Sequence, residues 1–305
     1  MPHSRSHPPQ QIMPPPLLPP RPKTPRIVLY HQTHYTSSKE YVSILPLLTE
    51  NTGTTHVILA AIHLNNPPGN IHLNETPPDD AIFETLWDEV LVLQDSGIKV
   101  LGMLGGAARG SYERLDGSEE SFEAYYCPLR DMIYKHKLDG LDLDVEEEMS
   151  LEGIIRLIDR LKADFGQDFL ITLAPVATGL MNQRHMSGFD YQMLEVLRGG
   201  IIGWYNVQFY CGWGSMADTQ CYDLIMAMGW PPEKVVAGVV TNAANGSGWV
   251  EIDVLMAVFM GLAQKYPGFG GVMGWEYFNA MPGGLGKPWE WAENMASAMA
   301  MGRAW

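Results

Sequence analysis

The stretch Asp139-Gly140-Leu141-Asp142-Leu143-Asp144-Val145-Glu146 alternates acidic and apolar residues from Leu141 onward. A period of two is the mark of a β-strand, because successive side chains point to opposite faces. On a strand running from Leu138 to Val145, Asp142, Asp144 and the following Glu146 share one face, while Leu141, Leu143 and Val145 occupy the other. A strand with both an apolar and an acidic face needs a helical layer on one side and a shared polar interior on the other.

Seven further short, β-branched apolar runs flank this one: Arg26 to Tyr30, Thr55 to Leu64, Ile98 to Leu104, Phe169 to Ala174, Gly203 to Tyr210, Lys234 to Val240 and Gly270 to Trp275. Amphipathic stretches separate them, and helices are expected over Asp80 to Asp95, Glu120 to His136, Leu151 to Phe165, Phe189 to Leu197, Thr219 to Met228, Ile252 to Tyr266 and Trp289 to Met301. Alternating strands and helices indicate an α/β fold with a parallel sheet. Eight strands, nearly all followed by a helix, close most simply into a single (β/α)8 TIM barrel, whose usual size of about 250 residues suits the span 26–305. The competing doubly wound sheet lacks its nucleotide-binding signatures: no G-x-G-x-x-G or Walker pattern follows an early strand.

Residues 1–25 hold 10 of the chain's 22 prolines and no uninterrupted apolar run, so they are expected to form a disordered, polyproline-prone tail ahead of the catalytic domain. The formal net charge of −15 disfavours nucleic acid and anionic membrane surfaces as partners. No apolar stretch approaches the roughly 18 to 20 residues needed to span a bilayer. Cys127, Cys211 and Cys221 are too few and too scattered for a disulfide framework or a zinc site, and are read as buried reduced thiols. An odd thiol count without a secretory signal points to the cytoplasm, with secretion as the alternative, and the chain is expected to act as a monomer. The glycosylation tripeptides at Asn74 and Asn245 carry no weight in an unsecreted chain.

Catalytic groups of such a barrel sit at the C-terminal ends of its strands, where the βα loops form a mouth. Three carboxylates in a row there are costly, because like charges a few Å apart resist joint ionisation and burial resists any uncompensated charge. The row therefore holds at least one proton near neutral pH, as a general acid requires. Glu146, its outermost member, is best placed to reach a substrate and takes the acid/base role. Glu147 and Glu148 are read as a solvated loop. A divalent-metal site is the alternative for the row, but no cluster of His or acidic residues recurs at other strand ends.

Asp139 to Glu146 matches the D-G-x-D-x-D-x-E signature of glycoside hydrolase family 18, the chitinases and endo-β-N-acetylglucosaminidases. The chain resembles that family over nearly its whole length after the tail. Lys99 to Gly106 is similar to the family's S-x-G-G segment with Met103 in place of serine, which removes a local hydrogen bond. Leu170 to Ala177, Trp204 to Tyr210, Gly214 to Asp218 and Gly271 to Asn279 resemble the compact fungal endo-β-N-acetylglucosaminidases.

The resemblance implies substrate-assisted retaining catalysis, in which the sugar's own 2-acetamido group attacks the anomeric carbon. It implies that Glu146 protonates the leaving oxygen, that Asp144 binds the acetamide N–H, and that Asp142 shares a proton with Asp144. Tyr210 matches the tyrosine that steers the acetamide carbonyl, with Gln208 two residues earlier on the same face. Trp275 matches the tryptophan that floors the sugar subsite, where an indole suits the apolar face of a pyranose. Glu276, Tyr277 and Asn279 follow it as candidate contacts to sugar hydroxyls. Tyr30, His31 and Gln32, at the end of the first strand, are similar candidates, as are the loop tryptophans Trp213 and Trp249. Each of these has a plain alternative as a packed or solvated residue.

The expected activity is hydrolysis of the β-1,4 bond in the N,N'-diacetylchitobiose core of N-glycans or free oligosaccharides, with no cofactor or metal. The alternative is a chitinase, since both need the same catalytic strand. A non-catalytic glycan-binding protein on the same barrel is the reading from another class, and the presence of Glu146 argues against it.

Overall fold

The strand bearing the acidic row is Gly140–Asp144, hydrogen-bonded in parallel on both sides to Lys99–Gly105 and Leu170–Leu173. It belongs to a computed structural model of the chain that describes residues 25–304. The proline-rich stretch expected as a tail, residues 1–25, lies outside the described residues except for Pro25.

Nine strands are present among the described residues: β1 (Arg26–His31), β2 (His56–Asn65), β3 (Asn70–Leu73), β4 (Lys99–Gly105), β5 (Gly140–Asp144), β6 (Leu170–Leu173), β7 (Trp204–Gln208), β8 (Val235–Val240) and β9 (Gly271–Trp275). Eight of them pair in parallel around a closed ring, because β1 bonds to both β2 and β9. With helices between the strands this is the expected (β/α)8 barrel. Among the described residues no helix is long and apolar enough to cross a membrane.

The ninth strand, β3, falls outside the sequence reading. It turns back antiparallel on the long β2, pairing Leu64 with Ile71 and His63 with His72. The turn is Asn66-Pro67-Pro68-Gly69, with Gly69 at φ +90°, a conformation glycine alone adopts without a steric cost. After β1 the connection holds only the four-residue helix Pro46–Thr49, in place of a full crossover helix.

Strand alternation divides the core in two. Leu141, Leu143, Tyr205, Val207, Val239 and Val272 face outward and pack with the helices in one large cluster. The helix Leu151–Phe165 shows how: Ile154, Leu157, Ile158 and Leu161 lie on its inner stripe, and Ser150 caps it by accepting from Gly153 N at 3.0 Å. Each such aliphatic side chain contributes about 1.5–3 kcal/mol when fully buried. Val28, Tyr30, Ile58, Leu101, Met103, Trp204, Val236 and Met273 fill the barrel itself. Its floor is closed by Arg26, whose guanidinium lies 4.5 Å from the Trp204 ring centroid and donates to Glu233 O at 2.8 Å.

The expectation of buried thiols is only partly met: Cys127 and Cys221 are half-buried, and Cys211 is exposed. Cys211 follows the inward-facing Tyr210 and turns out at φ 53° into the loop beyond β7.

Gly140, the glycine of the acidic motif, serves packing. A Cβ at this position meets Leu170 O of β6 at 2.3 Å and the Leu101 side chain at 3.0 Å. Gly140→Ala is expected to lower stability by about 1–3 kcal/mol through strand displacement. A fall in the urea midpoint, with the m-value unchanged, is the expected result; an unchanged midpoint contradicts it.

Candidate active site

Asp139 opens the motif at the bottom of the barrel. It takes Lys99 Nζ at 2.6 Å, Gln94 Nε2 at 2.8 Å and Val100 N at 2.9 Å. It therefore ties strands together, far from the mouth.

Asp142 is fully buried inside the barrel. Tyr30 Oη donates to its Oδ2 at 2.6 Å, and Thr172 Oγ1 and Asn206 Nδ2 donate to its Oδ1 at 2.5 and 3.0 Å. Burial raises its pKa, and these three donors oppose the rise by stabilising the ionised form. Asn206 is itself held by Trp204 Nε1 at 2.8 Å, so the support runs down to the floor.

Asp144 stands one step higher. Burial, reinforced by the charges of Glu146 and Asp142, holds its carboxyl well above the ordinary range. Glu146 lies beyond the end of β5 and is half-buried. Burial raises it too, while the hydrogen bond from Gln208 and the charge of Arg109 pull the other way. Gln208 Nε2 spans the pair, at 3.1 Å from Asp144 Oδ1 and 3.3 Å from Glu146 Oε1, and is anchored on Ala174 O at 2.9 Å. The interior thus carries a graded set: a deep carboxylate with three donors, a proton-retaining carboxyl above it, and an outer carboxyl open to a ligand.

These groups open on a cavity of about 450 Å³. Asp144, Glu146, Gln208, Tyr210, Trp213, Trp275 and Gln32 all line it, so seven of the residues singled out in the sequence meet there. The Tyr210 hydroxyl makes no hydrogen bond to a described residue, and burial with the nearby charges of Asp144 and Glu146 raises its pKa well above the ordinary value. It stays a protonated donor.

Others stand behind the wall. Tyr30 is spent on Asp142, with its ring 5.4 Å from that of Trp275. Glu276 is buried and accepts from Gln32 N at 3.1 Å, Thr33 N at 2.8 Å and Thr33 Oγ1 at 2.9 Å, which clamps the loop after β1. Tyr277 is fully buried and donates to Ser43 O at 3.2 Å, with its ring 5.8 Å from that of His31. Asn279 and Asn245 exchange amide bonds at 2.9 and 2.8 Å, so it is Asn245 that reaches the cavity. Trp249 packs on the interior cluster.

Glu147, read from the sequence as solvated, is buried: it accepts from Gly110 N at 2.7 Å and Tyr112 N at 2.9 Å. Those amides open the short helix Ser111–Leu115 and need an acceptor, which a run of three acids, Glu146 to Glu148, does not reveal. Glu148 is exposed as expected. The Gly105-Gly106 pair also has a local reason. Both have positive φ, and Cβ atoms there meet the Tyr112 ring at 2.4 Å and Met103 Cε at 2.8 Å.

Sequence reasoning missed His63, Asn74 and Glu75, which line the cavity from the unforeseen hairpin β2–β3. It also passed over Asn245, although both glycosylation tripeptides pointed at wall residues. Asn74 Nδ2 donates to Gln32 O at 2.8 Å, and Asn245 Nδ2 is shared among Asn279, Thr241 and Trp275. Among the described residues no group of three or more His, Cys, Asp or Glu side chains is arranged to hold a metal ion.

A family profile described as "Glycosyl hydrolases family 18" matches residues 26–249. Among solved structures, the chitinase ChiC of Aspergillus fumigatus is 56% identical, with 90% of this chain and 99% of that one covered and a TM-score of 0.83. A fungal endo-β-N-acetylglucosaminidase from glycosyl hydrolase family 18 is 50% identical, with 90% and 98% covered and a TM-score of 0.87. Chitinase 2 of Rhizopus oligosporus is 25% identical over 85% of this chain, which spans about half of that protein's length (50%).

The raised carboxyl pKa values carry a stability consequence with a definite sign. Below the unfolded-state pKa of a carboxyl, about 4, the folded and unfolded chains hold the same protons; as pH rises through the higher folded values, stability is lost. Asp144→Asn is therefore expected to melt a few degrees above the wild type at pH 8, with the gain shrinking toward pH 4. Melting curves across that range check it, and a gain that grows toward low pH contradicts it.

Proposed function

The chain belongs to family 18 of the glycosyl hydrolases, and from that premise we propose that it is an endo-β-N-acetylglucosaminidase acting on the N,N'-diacetylchitobiose core of N-glycans or free oligosaccharides. The observation that carries the chemistry is the vertical pairing of Asp144 and Glu146 through Gln208 on a cavity that Trp275 and Tyr210 also line. One carboxyl has reach, and the one beneath it is positioned to hold an amide.

Glu146, protonated, donates to the glycosidic oxygen as the bond to the anomeric carbon breaks. The acetamido oxygen of the same sugar attacks that carbon and closes an oxazolinium ring. The Asp144 carboxylate accepts the acetamide N–H and offsets the positive charge that develops there, while the Tyr210 hydroxyl donates to the acetamide oxygen and fixes its line of attack. Asp142 accepts from Tyr30, Thr172 and Asn206 below, and takes up the proton that Asp144 gives up as the charge grows. Glu146, now ionised, takes a proton from water, whose oxygen opens the ring and restores both the acetamide and the original configuration. Trp275 covers the apolar face of the sugar and helps to exclude water from the intermediate.

The choice of the N-glycan core over chitin is supported by the whole-length likeness to the fungal endo-β-N-acetylglucosaminidase, with its TM-score of 0.87. The chitinase reading is favoured by the 56% identity to the Aspergillus fumigatus chitinase. Mass spectrometry after parallel incubation with a high-mannose glycoprotein and with chitin oligosaccharides separates them. Loss of glycan that leaves one N-acetylglucosamine on asparagine is the expected result; shortened chitin oligomers beside an untouched glycoprotein establish the chitinase instead.

Glu146→Gln keeps the shape and removes the transferable proton, so kcat is expected to fall by roughly 10²–10⁴-fold while glycan binding persists. Unchanged turnover in this variant removes Glu146 from the acid role. In the wild type, kcat is expected to decline toward alkaline pH as the raised Glu146 carboxyl loses its proton.

A further inference from the structure

The N-glycosylation tripeptides Asn74-Glu75-Thr76 and Asn245-Gly246-Ser247 have no part in the chemistry, yet both of their asparagines line the catalytic cavity. Asn74 reaches it from the end of β3, and Asn245 from the loop after β8. In any cell that carries the chain through a glycosylating compartment, a glycan on either one begins at the wall of the space where Glu146, Tyr210 and Trp275 meet.

The two asparagines differ in what their amide nitrogens already do. An asparagine amide has two N–H groups, and a glycosidic bond to the nitrogen uses one. Asn245 has none to spare: its Nδ2 lies 2.9 Å from Asn279 Oδ1, 3.1 Å from Thr241 Oγ1 and 3.4 Å from Trp275 O, and its Oδ1 accepts from Asn279 Nδ2 at 2.8 Å. A glycan there breaks the wall between the loops after β8 and β9. Asn74 Nδ2 donates to one described partner, Gln32 O at 2.8 Å, and its Oδ1 accepts from Ala61 N at 3.2 Å. A sugar can therefore replace one N–H while the other keeps the bond to Gln32.

The first tripeptide also stands where an acceptor belongs, on a tight turn at the surface. Asn74 has φ 55°, and the turn is closed by Leu73 N donating to Thr76 O at 2.8 Å and Thr76 N to Leu73 O at 3.3 Å. Glu75 is exposed, Asn74 and Thr76 are half-buried, and the Thr76 hydroxyl bonds to no described residue. Tethering then adds to bulk. A ligand on a short tether has an effective concentration in the millimolar range, and the first two sugars of an N-glycan are N,N'-diacetylchitobiose, the unit that the proposed activity cleaves.

We propose that Asn74 is an N-glycan attachment site and that a glycan attached there closes the catalytic cavity, so that glycosylation of Asn74 and hydrolysis exclude one another on the same folded chain. The inference rests on the reading that this cavity seats the sugar that is cleaved.

The test compares the full chain made in bacteria that attach no N-glycan with the same chain made behind a cleavable secretion leader in glycosylating yeast. Both carry Ser247→Ala, which removes the second tripeptide. Peptide mass spectrometry reads occupancy at Asn74, and a mannose-binding lectin column isolates the glycosylated fraction. On whichever of the glycoprotein and chitin-oligomer substrates the bare protein cleaves, that fraction is expected to show kcat/KM about 100-fold lower, with a melting temperature within a few degrees. Thr76→Ala removes the acceptor hydroxyl and keeps Asn74; this variant is expected to leave the yeast bare and as active as the bacterial protein. A glycosylated fraction within about twofold of the bare protein overturns the occlusion, and so does a loss of activity that comes with a clearly lower melting temperature. A folded secreted chain with a bare Asn74 overturns the site. Isothermal titration of chitobiose into both forms, each carrying Glu146→Gln, separates this inference from the reading beneath it. If the bare chain binds chitobiose and the glycosylated chain binds it equally well, only the inference falls. If the bare chain neither binds nor cleaves a sugar, both fall.

Discussion

The mouth of this barrel depends on keeping one carboxylate in its interior. Asp142 has no contact with solvent, and an isolated charge at such depth is unfavourable by several kcal/mol even after relaxation. Three donors from three different strands, Tyr30, Thr172 and Asn206, converge on it. They make Asp142 the member of the row best able to carry charge, which leaves the carboxyl above it reluctant to ionise. Burial is the main reason that Asp144 retains its proton, and the charges of Glu146 and of Asp142 on its hydrogen-bonded base add to it. The row is a ladder of protonation built on a hydrogen-bonded base, and the barrel closure that brings β1, β6 and β7 around β5 is what builds it.

The same device recurs around the rim. Glu147 accepts two backbone amides at the entrance of a short helix, Glu276 accepts two from the loop after β1, and Glu89 gathers Tyr41 Oη, Ser43 Oγ and Ile44 N to pin the same loop onto the helix Glu84–Asp95. A buried carboxylate that accepts several N–H or O–H bonds holds a loop without regular secondary structure, because each bond is charge-assisted and directional. The chain's acidity therefore does two jobs: part of it performs chemistry at the mouth, and part of it holds the loops that shape the mouth.

Periodicity made the barrel legible. Each expected strand appears within a few residues of its place, since one-faced apolar runs alternating with amphipathic stretches have few other ways to bury their surfaces. The inward direction of Asp142, Asp144, Gln208 and Tyr210 follows from the same period of two. The hairpin strand β3 was not legible as such. Its four residues, Asn-Ile-His-Leu, are too short and too polar to stand out, and only pairing with the overlong β2 makes them a strand.

The sequence by itself determined the architecture, the strand that carries the carboxylates and which of its faces is acidic, because these depend on chain-local chemistry: side-chain alternation, apolar spacing, and a motif read within eight residues. Tertiary structure alone decided which polar residues reach the cavity. Glu276, Tyr277 and Asn279 follow Trp275 in sequence yet turn to hold Thr33, Ser43 and Asn245, while His63, Asn74 and Glu75 arrive from a hairpin no catalytic motif marks. A strand-end residue has the same local pattern whether its side chain meets a ligand or a neighbouring loop. The difference lies in which backbone amides from distant segments need an acceptor, and that is settled only once the ring has closed.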